Sequence, residues 1–304
     1  MGITDTWPAY LGLSSDQLRE RARRLAELAS PCRLCPRECG ARRSEGERGF
    51  CRAGPLPWAS SFGPHFGEER ILVGRGGSGT VFFTGCNLAC VFCQNYEISQ
   101  LDRGVEITTT ELASYFLRLQ GLGCINVNLV TPTHQAPQIV EAIAIARDEG
   151  LNLPIVWNSG GYELVEALRL LEGIVDIYMP DFKYGDSTIA ECYSAAPGYF
   201  EAACAAVKEM HRQVGDLSIE GSLARRGLLI RHLVLPNRLA GTERVLAFIA
   251  GEISQDTFVN LMGQYRPAYR ARERPEISRP ITAAEYDEAF RLARRLGLRV
   301  ASNI

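Results

Sequence analysis

The clearest regularity along the chain is an alternation of short apolar runs with longer segments whose apolar residues recur at helical spacing. The apolar runs occupy residues 80–85, 125–132, 154–160, 175–184, 227–236 and 257–265. Each is followed by a predicted helix, at 109–123, 136–150, 162–173, 187–214, 241–253 and 282–297. Because continuous apolar strands that alternate with helices are typical of a parallel sheet, the pattern predicts six β/α units.

Six units are too few for a closed barrel of eight, so an open partial barrel or a doubly wound sheet is expected. The predicted strands tend to end in polar or turn-forming residues. These are Gly85, Thr131, Asn158, Asp181, Pro236 and Gln264. Since parallel α/β sheets bind their ligands at the carboxyl ends of the strands, the functional site is predicted at this edge.

The segment before the first unit has a different character. Residues 14–30 predict a helix that Pro31 ends. Residues 31–55 are rich in Cys, Gly, Arg and Pro and lack apolar periodicity, so they need a metal or another cross-link to hold them. The sequence therefore predicts an N-terminal cysteine-rich extension over 1–70 and the partial barrel over 71–304.

Composition narrows the class of protein. The 304 residues are 46% hydrophobic and 22% charged, with a net charge of −2. This balance gives no electrostatic reason to expect nucleic acid or an acidic membrane as a partner. No apolar run is long enough to span a bilayer, and the first twenty residues lack the features of a secretory signal, so a cytoplasmic location is expected.

Ten cysteines stand out in a chain expected in a reducing compartment, where thiols are more often metal ligands than disulfides. Seven form two groups. The first contains Cys32, Cys35, Cys39 and Cys51, and the second contains Cys86, Cys90 and Cys93. The remaining three, Cys124, Cys192 and Cys204, are predicted to be small buried hydrophobic residues.

The second group has the spacing C-x3-C-x2-C and directly follows the first predicted strand. Thiolates at this spacing favour an iron–sulfur cluster or zinc. Three ligands leave a coordination position open, which is typical of catalytic rather than structural metal sites. A structural metal with a fourth ligand from elsewhere, or three core cysteines, are the alternatives.

With Phe92 before its last cysteine, this motif resembles that of the radical S-adenosylmethionine (SAM) superfamily, closest to the branch of the pyruvate formate-lyase activating enzyme. The phrases SFGPHFGEE, GSGTVFFTGCN, CQNYEISQ, NLVTPTH, MPDFKY, RHLVLPN and QYRP resemble an unassigned subgroup related to those activators. The N-terminal PCRLCPRECG and GERGFC belong to the same pattern. The resemblance implies an α/β partial (β/α)6 barrel.

The resemblance also implies the chemistry. Cys86, Cys90 and Cys93 would hold three irons of a [4Fe–4S] cluster, and SAM would chelate the fourth. Reductive cleavage of SAM would give a 5′-deoxyadenosyl radical that removes hydrogen from the substrate. That substrate is a protein glycine, as for the activases, or another peptide or small molecule. By analogy, a flavodoxin or ferredoxin would supply the electron.

Several further residues are predicted to contact SAM. Phe92 is expected at the adenine, with a core position as the alternative. Where the family carries Gly-Gly-Glu, this chain has Thr131-Pro132-Thr133-His134, so Thr131 or Thr133 would supply oxygen acceptors to the SAM amino group. Asn158 and Ser159 would face the ribose or the methionine.

Charged residues at the strand ends complete the predicted SAM site. Asp181 and Lys183 lie two apart at one strand end and therefore point the same way. Lys183 would pair with the carboxylate of SAM, with a surface ion pair as the alternative. Arg231, a charge inside an apolar run, is expected at the carboxylate or ribose, and Arg266 is predicted by a weaker form of this argument.

The N-terminal cysteines have the spacing C-x2-C-x3-C-x11-C, which can ligate either zinc or a second [4Fe–4S] cluster. A single C-x2-C pair followed by Pro36 favours the cluster. Two other functions remain open. One is a non-catalytic metal-binding protein, and the other is an electron carrier with two clusters. Lys183 and Arg231 argue against the carrier, because they provide an anion pocket that a carrier does not need.

Overall fold

The computed structural model describes residues 6–301. Residues 1–5 and 302–304, which belong to the two predicted domains, lie outside the described residues. The α-helices are α1 (Ser15–Leu28), α2 (Arg70–Val73), α3 (Tyr96–Ser99), α4 (Thr109–Gly121), α5 (Ala136–Asp148), α6 (Val165–Leu170), α7 (Ser187–Ser194), α8 (Tyr199–Val214), α9 (Thr242–Phe248) and α10 (Ala283–Arg295). The strands are β1 (Trp58–His65), β2 (Ser78–Phe83), β3 (Val105–Glu106), β4 (Val127–Val130), β5 (Ile155–Ser159), β6 (Ile177–Pro180), β7 (Ser218–Glu220), β8 (Leu223–Leu233), β9 (Phe258–Met262) and β10 (Arg299–Val300).

One ten-stranded sheet organises the described chain, in the order β10-β9-β8-β6-β5-β4-β2-β1-β3, with β7 paired to β8. Strands β2, β4, β5, β6, β8 and β9 run parallel to one another along this path. These are the six strands that the sequence predicts. Because β10 and β3 end the path without pairing to each other, the sheet is open, and the expected partial barrel is confirmed.

Alternation along the strands separates an inner from an outer face. Val156, Met179 and Leu229 pack around Leu72 of the short helix α2, which fills the inside of the curved sheet. The alternate residues of these strands, such as Trp157, point to the other face and belong to the larger core under the outer helices. Since side chains two apart on a strand share a face, the polar residues that follow this inner cluster point into the barrel.

The N-terminal segment is packed against the barrel. Helix α1 starts with a capping box between Ser14 and Gln17 and buries Leu18 and Leu25 in the main core, where it packs on α5. Strand β1 pairs antiparallel with β2 and so joins the main sheet. The division at residue 70 stays a prediction.

The three scattered cysteines differ in burial. Cys124 is buried and Cys204 is half-buried, but Cys192 is exposed on α7, so the prediction of a buried residue is wrong there. The outward face of a short amphipathic helix explains this exposure. None of the described helices is long and apolar enough to cross a membrane.

Candidate active site

The loop that carries Cys86, Cys90 and Cys93 follows β2 at the carboxyl edge of the parallel sheet. Backbone hydrogen bonds hold it on both sides: Ala89 N donates to Ser194 O, and Val91 N to Tyr193 O, each at 2.9 Å. These bonds fasten the loop to the end of α7, so the cysteines have a fixed frame.

Each of the three sulfurs has a hydrogen-bond partner in place. The hydroxyl of Ser194 donates to Cys90 Sγ at 2.9 Å, and the backbone N–H of Leu88 donates to Cys86 Sγ at 3.3 Å. Cys93 Sγ lies 3.2 Å from the hydroxyl of Ser99. Hydrogen bonds to sulfur stabilise thiolates and tune the potential of a bound iron–sulfur cluster.

Burial acts against ionisation of these thiols. It raises the pKa of Cys86 far above its ordinary range and the pKa of Cys90 to about 11, although the nearby ammonium of Lys183 lowers both values. Thiolates in this loop therefore need a positive partner beyond the protein, which a metal centre supplies.

A network of largely buried charged side chains lies beside the loop. The carboxylate of Asp181 accepts hydrogen bonds from Lys183 Nζ at 2.6 Å and from Arg231 Nε at 2.7 Å. The Arg231 guanidinium also donates to Asn158 Oδ1 at 2.7 Å and to Glu68 Oε2 at 3.4 Å. Burial raises the pKa of Asp181, but the two cations outweigh it and bring this pKa to about 2.

A cavity of about 200 Å³, the small cavity, joins the cysteine loop to this network. Among the residues that line it are Cys90, Phe92, Cys93, Asp181, Lys183 and Arg231. Phe92 is buried and meets the rings of Tyr184 and Tyr265 edge to face, with centroids 6.4 and 5.8 Å apart. The structure thus brings six of the predicted site residues to one space.

Other predicted residues lie elsewhere. Thr133 is buried and donates its hydroxyl to Glu163 at 2.8 Å, while the Ser159 hydroxyl accepts from Gly161 N at 3.3 Å within its own loop. Thr131 has a positive φ of 59°, and its backbone N–H donates to Asn158 O at 2.8 Å. Their contacts with SAM stay predictions.

Arg266, predicted from its place after the sixth strand, is exposed. Its side chain makes no hydrogen bond to another residue in the described part of the chain. Its predicted contact with SAM stays untested, since it does not line the small cavity.

Sequence reasoning missed some residues of the site. Glu68 and Glu69 immediately precede α2. On the inner face of the sheet they accept hydrogen bonds from Arg231 and Asn260, which lie far along the chain. They lie in the phrase SFGPHFGEE, and a pair of carboxylates before an apolar segment was the available signal. Ser194 gave no signal, because only the tertiary fold places it against Cys90.

The N-terminal cysteines approach the second cysteine loop. The backbone of Gly85, just before Cys86, is so close to Cys51 O that an added Cβ would lie 2.3 Å from this oxygen. Arg43 donates to Cys51 Sγ at 3.2 Å and to His134 O at 2.7 Å. The extension and the barrel therefore share a contact at the site.

Arg37 forms a second link between the two cysteine groups. Its Nε donates to Asn87 O at 2.6 Å, next to Cys86, and its guanidinium stacks on Phe50 at 3.3 Å. Burial lowers the pKa of Arg37, while Cys35, Cys51 and Cys86 act electrostatically in the opposite sense. One half-buried cation thus lies among thiols of both groups.

Comparison with known proteins decides the family. Residues 80–220 match the Radical SAM superfamily, a range that starts in β2 and includes the three-cysteine loop. The chain is 36% identical over 277 residues to the uncharacterized protein MJ0674 of Methanocaldococcus jannaschii, covering 88% of this chain and 75% of that relative. The chain belongs to the radical SAM superfamily.

Two solved structures match the chain at low identity. A radical SAM methyltransferase from Sphaerobacter thermophilus is 16% identical, with a TM-score of 0.49 and coverage of 74% of this chain and 65% of that one. Methylornithine synthase is 17% identical, with a TM-score of 0.48 and coverage of 71% and 60%. The chain spans less than two thirds of either neighbour, and neither informs the reaction here.

Membership of the radical SAM superfamily implies an enzyme that uses a [4Fe–4S] cluster and SAM. The residues present fit both groups. The cysteine loop offers three sulfurs that are each already hydrogen-bonded, and the adjacent small cavity offers Lys183 and Arg231 to an anionic group. Within residues 6–301, no three His, Cys, Asp or Glu side chains converge on a single-ion site. A cubane places its cysteines on different irons and so spreads them farther apart.

Proposed function

We propose that this radical SAM enzyme generates its radical at the small cavity and abstracts hydrogen from a peptide or protein segment, in the manner of the glycyl-radical activases. The observation that carries the proposal is the junction of Cys90 and Cys93 with Lys183 and Arg231 around one space. When bound, the cluster and SAM supply reductive cleavage of the sulfonium and a hydrogen-abstracting 5′-deoxyadenosyl radical.

The chain's own residues bind and orient SAM in this proposal. Lys183 and Arg231 present N–H donors to the SAM carboxylate, and Asp181 holds both cations in place through the bonds at 2.6 and 2.7 Å. Asn158 fixes the other end of the guanidinium. Because these side chains are largely buried, the charges act with little screening by water.

The N-terminal cysteines are proposed to hold a second [4Fe–4S] cluster that passes electrons to the first. Their nearness to the barrel loop supports a relay, since Cys51 O abuts Gly85 and Arg37 contacts Asn87. Zinc in the same ligands would only fasten the extension. A flavodoxin or ferredoxin is the proposed donor, and the cytoplasm the proposed location.

Metal content tests the two sites separately. We would measure iron, sulfide and zinc per chain in anaerobically reconstituted protein, in a variant with Cys86, Cys90 and Cys93 changed to Ala, and in one with the N-terminal four changed to Ala. About eight irons in the wild type, falling to about four in either variant, is expected. Four irons and one zinc, with the zinc lost only from the N-terminal variant, would overturn the second cluster.

Catalytic function is tested by SAM cleavage. With a chemical reductant, the reconstituted enzyme should convert SAM to 5′-deoxyadenosine and methionine. With reduced flavodoxin or ferredoxin as the donor, the variant that lacks the N-terminal cysteines should cleave SAM more slowly than the wild type. Iron without any SAM cleavage would instead favour the non-catalytic metal-binding alternative. A deuterated peptide or protein substrate that never transfers deuterium to 5′-deoxyadenosine would argue against the peptide class.

A further inference from the structure

A second and larger space, the large cavity, adjoins the small one on the inner side of β8 and β9. Its volume is about 700 Å³, within the range of small-molecule pockets. Arg231, Met262 and Gln264 line both cavities. A molecule in the large cavity therefore lies next to the place where the radical would form.

Glu68 and Glu69 form one wall of the large cavity. Glu69 is only 4% exposed, and its Oε1 accepts a hydrogen bond from Asn260 Nδ2 at 2.8 Å. Its other oxygen, Oε2, is buried without a hydrogen-bond partner among residues 6–301. A buried carboxylate oxygen that lacks a donor is costly, so this wall is chemically incomplete.

Neither of the nearby cations pairs with Glu69. Arg231 donates to Asp181, Asn158 and Glu68, and Lys183 donates to Asp181. The walls of the two cavities thus hold three carboxylates, of Glu68, Glu69 and Asp181, against two cations, Lys183 and Arg231. The surplus is one negative charge, and it lies on the side of the large cavity.

We propose that the large cavity is the substrate site and that Glu69, positioned by Asn260, recognises a positively charged nitrogen of the substrate. The group is an ammonium or a guanidinium, carried by a small amine or by a Lys or Arg side chain of a peptide. A charged N–H donor would complete the bonding of Glu69 and balance the surplus charge. That the large cavity lies beside the reacting centre rests on the proposed function. The binding of a cation by Glu69 does not.

The direct test is calorimetric binding of butylammonium, butylguanidinium and uncharged 1-butanol to the anaerobically reconstituted full chain. We expect both cations to bind and 1-butanol to bind at least tenfold more weakly. Glu69→Gln should weaken the binding of both cations at least tenfold. The control Glu149→Gln, at an exposed position on the end of α5, should leave their binding unchanged. Equal binding of charged and uncharged probes to the wild type would overturn the proposal, whether or not Glu69→Gln folds.

Two further arms define the ligand. Acetyl-Gly-Arg-Gly-amide should bind more tightly than its uncharged citrulline analogue. Tighter binding of the arginine peptide than of butylguanidinium assigns a peptide source, and the reverse assigns a small amine. Saturating SAM should leave probe binding intact. If SAM displaces the probes, Glu69 serves the ammonium of SAM and the proposal is wrong.

The outcome is separable from that of the proposed function. Formation of 5′-deoxyadenosine is measured on the same preparations. Loss of cation binding with normal SAM cleavage would contradict only the substrate site, whereas cation binding without SAM cleavage would contradict only the proposed function.

Discussion

Lys183 Nζ lies 2.6 Å from Asp181 Oδ2, so two residues at the end of one strand form a largely buried ion pair that faces the cysteine loop. Both side chains are 17% exposed. Arg231, from the neighbouring strand β8, takes the other carboxylate oxygen. The carboxylate therefore holds two cations that would otherwise repel each other, and it sets their direction toward the small cavity.

Asp181→Asn should disable this arrangement. Removing the charge leaves Lys183 and Arg231 unbalanced in a buried site, which typically costs about 3–5 kcal/mol. We expect this loss in the free energy of unfolding and a weakening of SAM binding by about tenfold or more, measured by denaturation and calorimetry.

The matched control is Glu252→Gln, which removes a carboxylate from an exposed pair with Lys208. Its effect on unfolding should be much smaller than that of Asp181→Asn, because solvent-exposed pairs contribute little. If Asp181→Asn binds SAM as the wild type does, the proposed role of the network is wrong.

Ser194→Ala should change the redox behaviour of the cluster. The serine hydroxyl donates to Cys90 Sγ at 2.9 Å, and this bond disperses negative charge on the sulfur. Its loss should lower the reduction potential by about 50 mV, because a typical net hydrogen bond of about 1 kcal/mol corresponds to roughly this shift in a one-electron couple. Electron paramagnetic resonance during a redox titration measures the shift, and Ser218→Ala on exposed β7 is the control. An unchanged potential would show that the bond plays no part.

Gly85→Ala should separate the two cysteine segments. Gly85 has φ +82°, and a Cβ there would lie 2.3 Å from Cys51 O. Gly46→Ala is a matched control, because Gly46 has φ +88° and no atom within 4 Å of its Cβ position. The control carries only the backbone strain, about 1–2 kcal/mol. Gly85→Ala should destabilise the protein further and reduce its iron content; equal effects of both variants would contradict the close contact.

Stability should fall as the solution becomes acidic, because His232 is buried in its neutral form. Burial lowers its pKa to about 4, below the value of about 6.5 in the unfolded chain. The protonated form therefore favours unfolding, so stability is complete above pH 6.5 and is lost as the pH falls toward 4. The expected loss from this residue is about 2 kcal/mol at pH 5.

Anaerobic urea unfolding between pH 5 and 7.5 measures this dependence. His232→Gln should flatten the curve, because it removes this buried titrating group. His134, also buried with its pKa lowered to about 4, adds to the slope that remains, while Asp176, whose pKa burial raises to about 6, acts in the opposite sense. A curve as steep in His232→Gln as in the wild type would contradict the assignment.

The sequence predicted the six strands and the three-cysteine loop because both are local patterns. Alternation of apolar runs with helices needs only short-range order, and Asp181 and Lys183 share a direction because strand residues two apart always do. The site was less fully predicted. Thr133 follows the end of β4, yet its hydroxyl is bonded to Glu163 thirty residues away.

What the sequence by itself determined, then, is the repeated unit, the edge of the sheet that carries the site and the residues that offer sulfur and charge. The tertiary structure alone decided which of them meet. Glu68 reaches Arg231 across 163 residues, and Ser194 reaches Cys90 across 104. Such contacts depend on how the sheet curves and where α2 and α7 pack, and no local pattern of hydrophobic and polar residues encodes those distances.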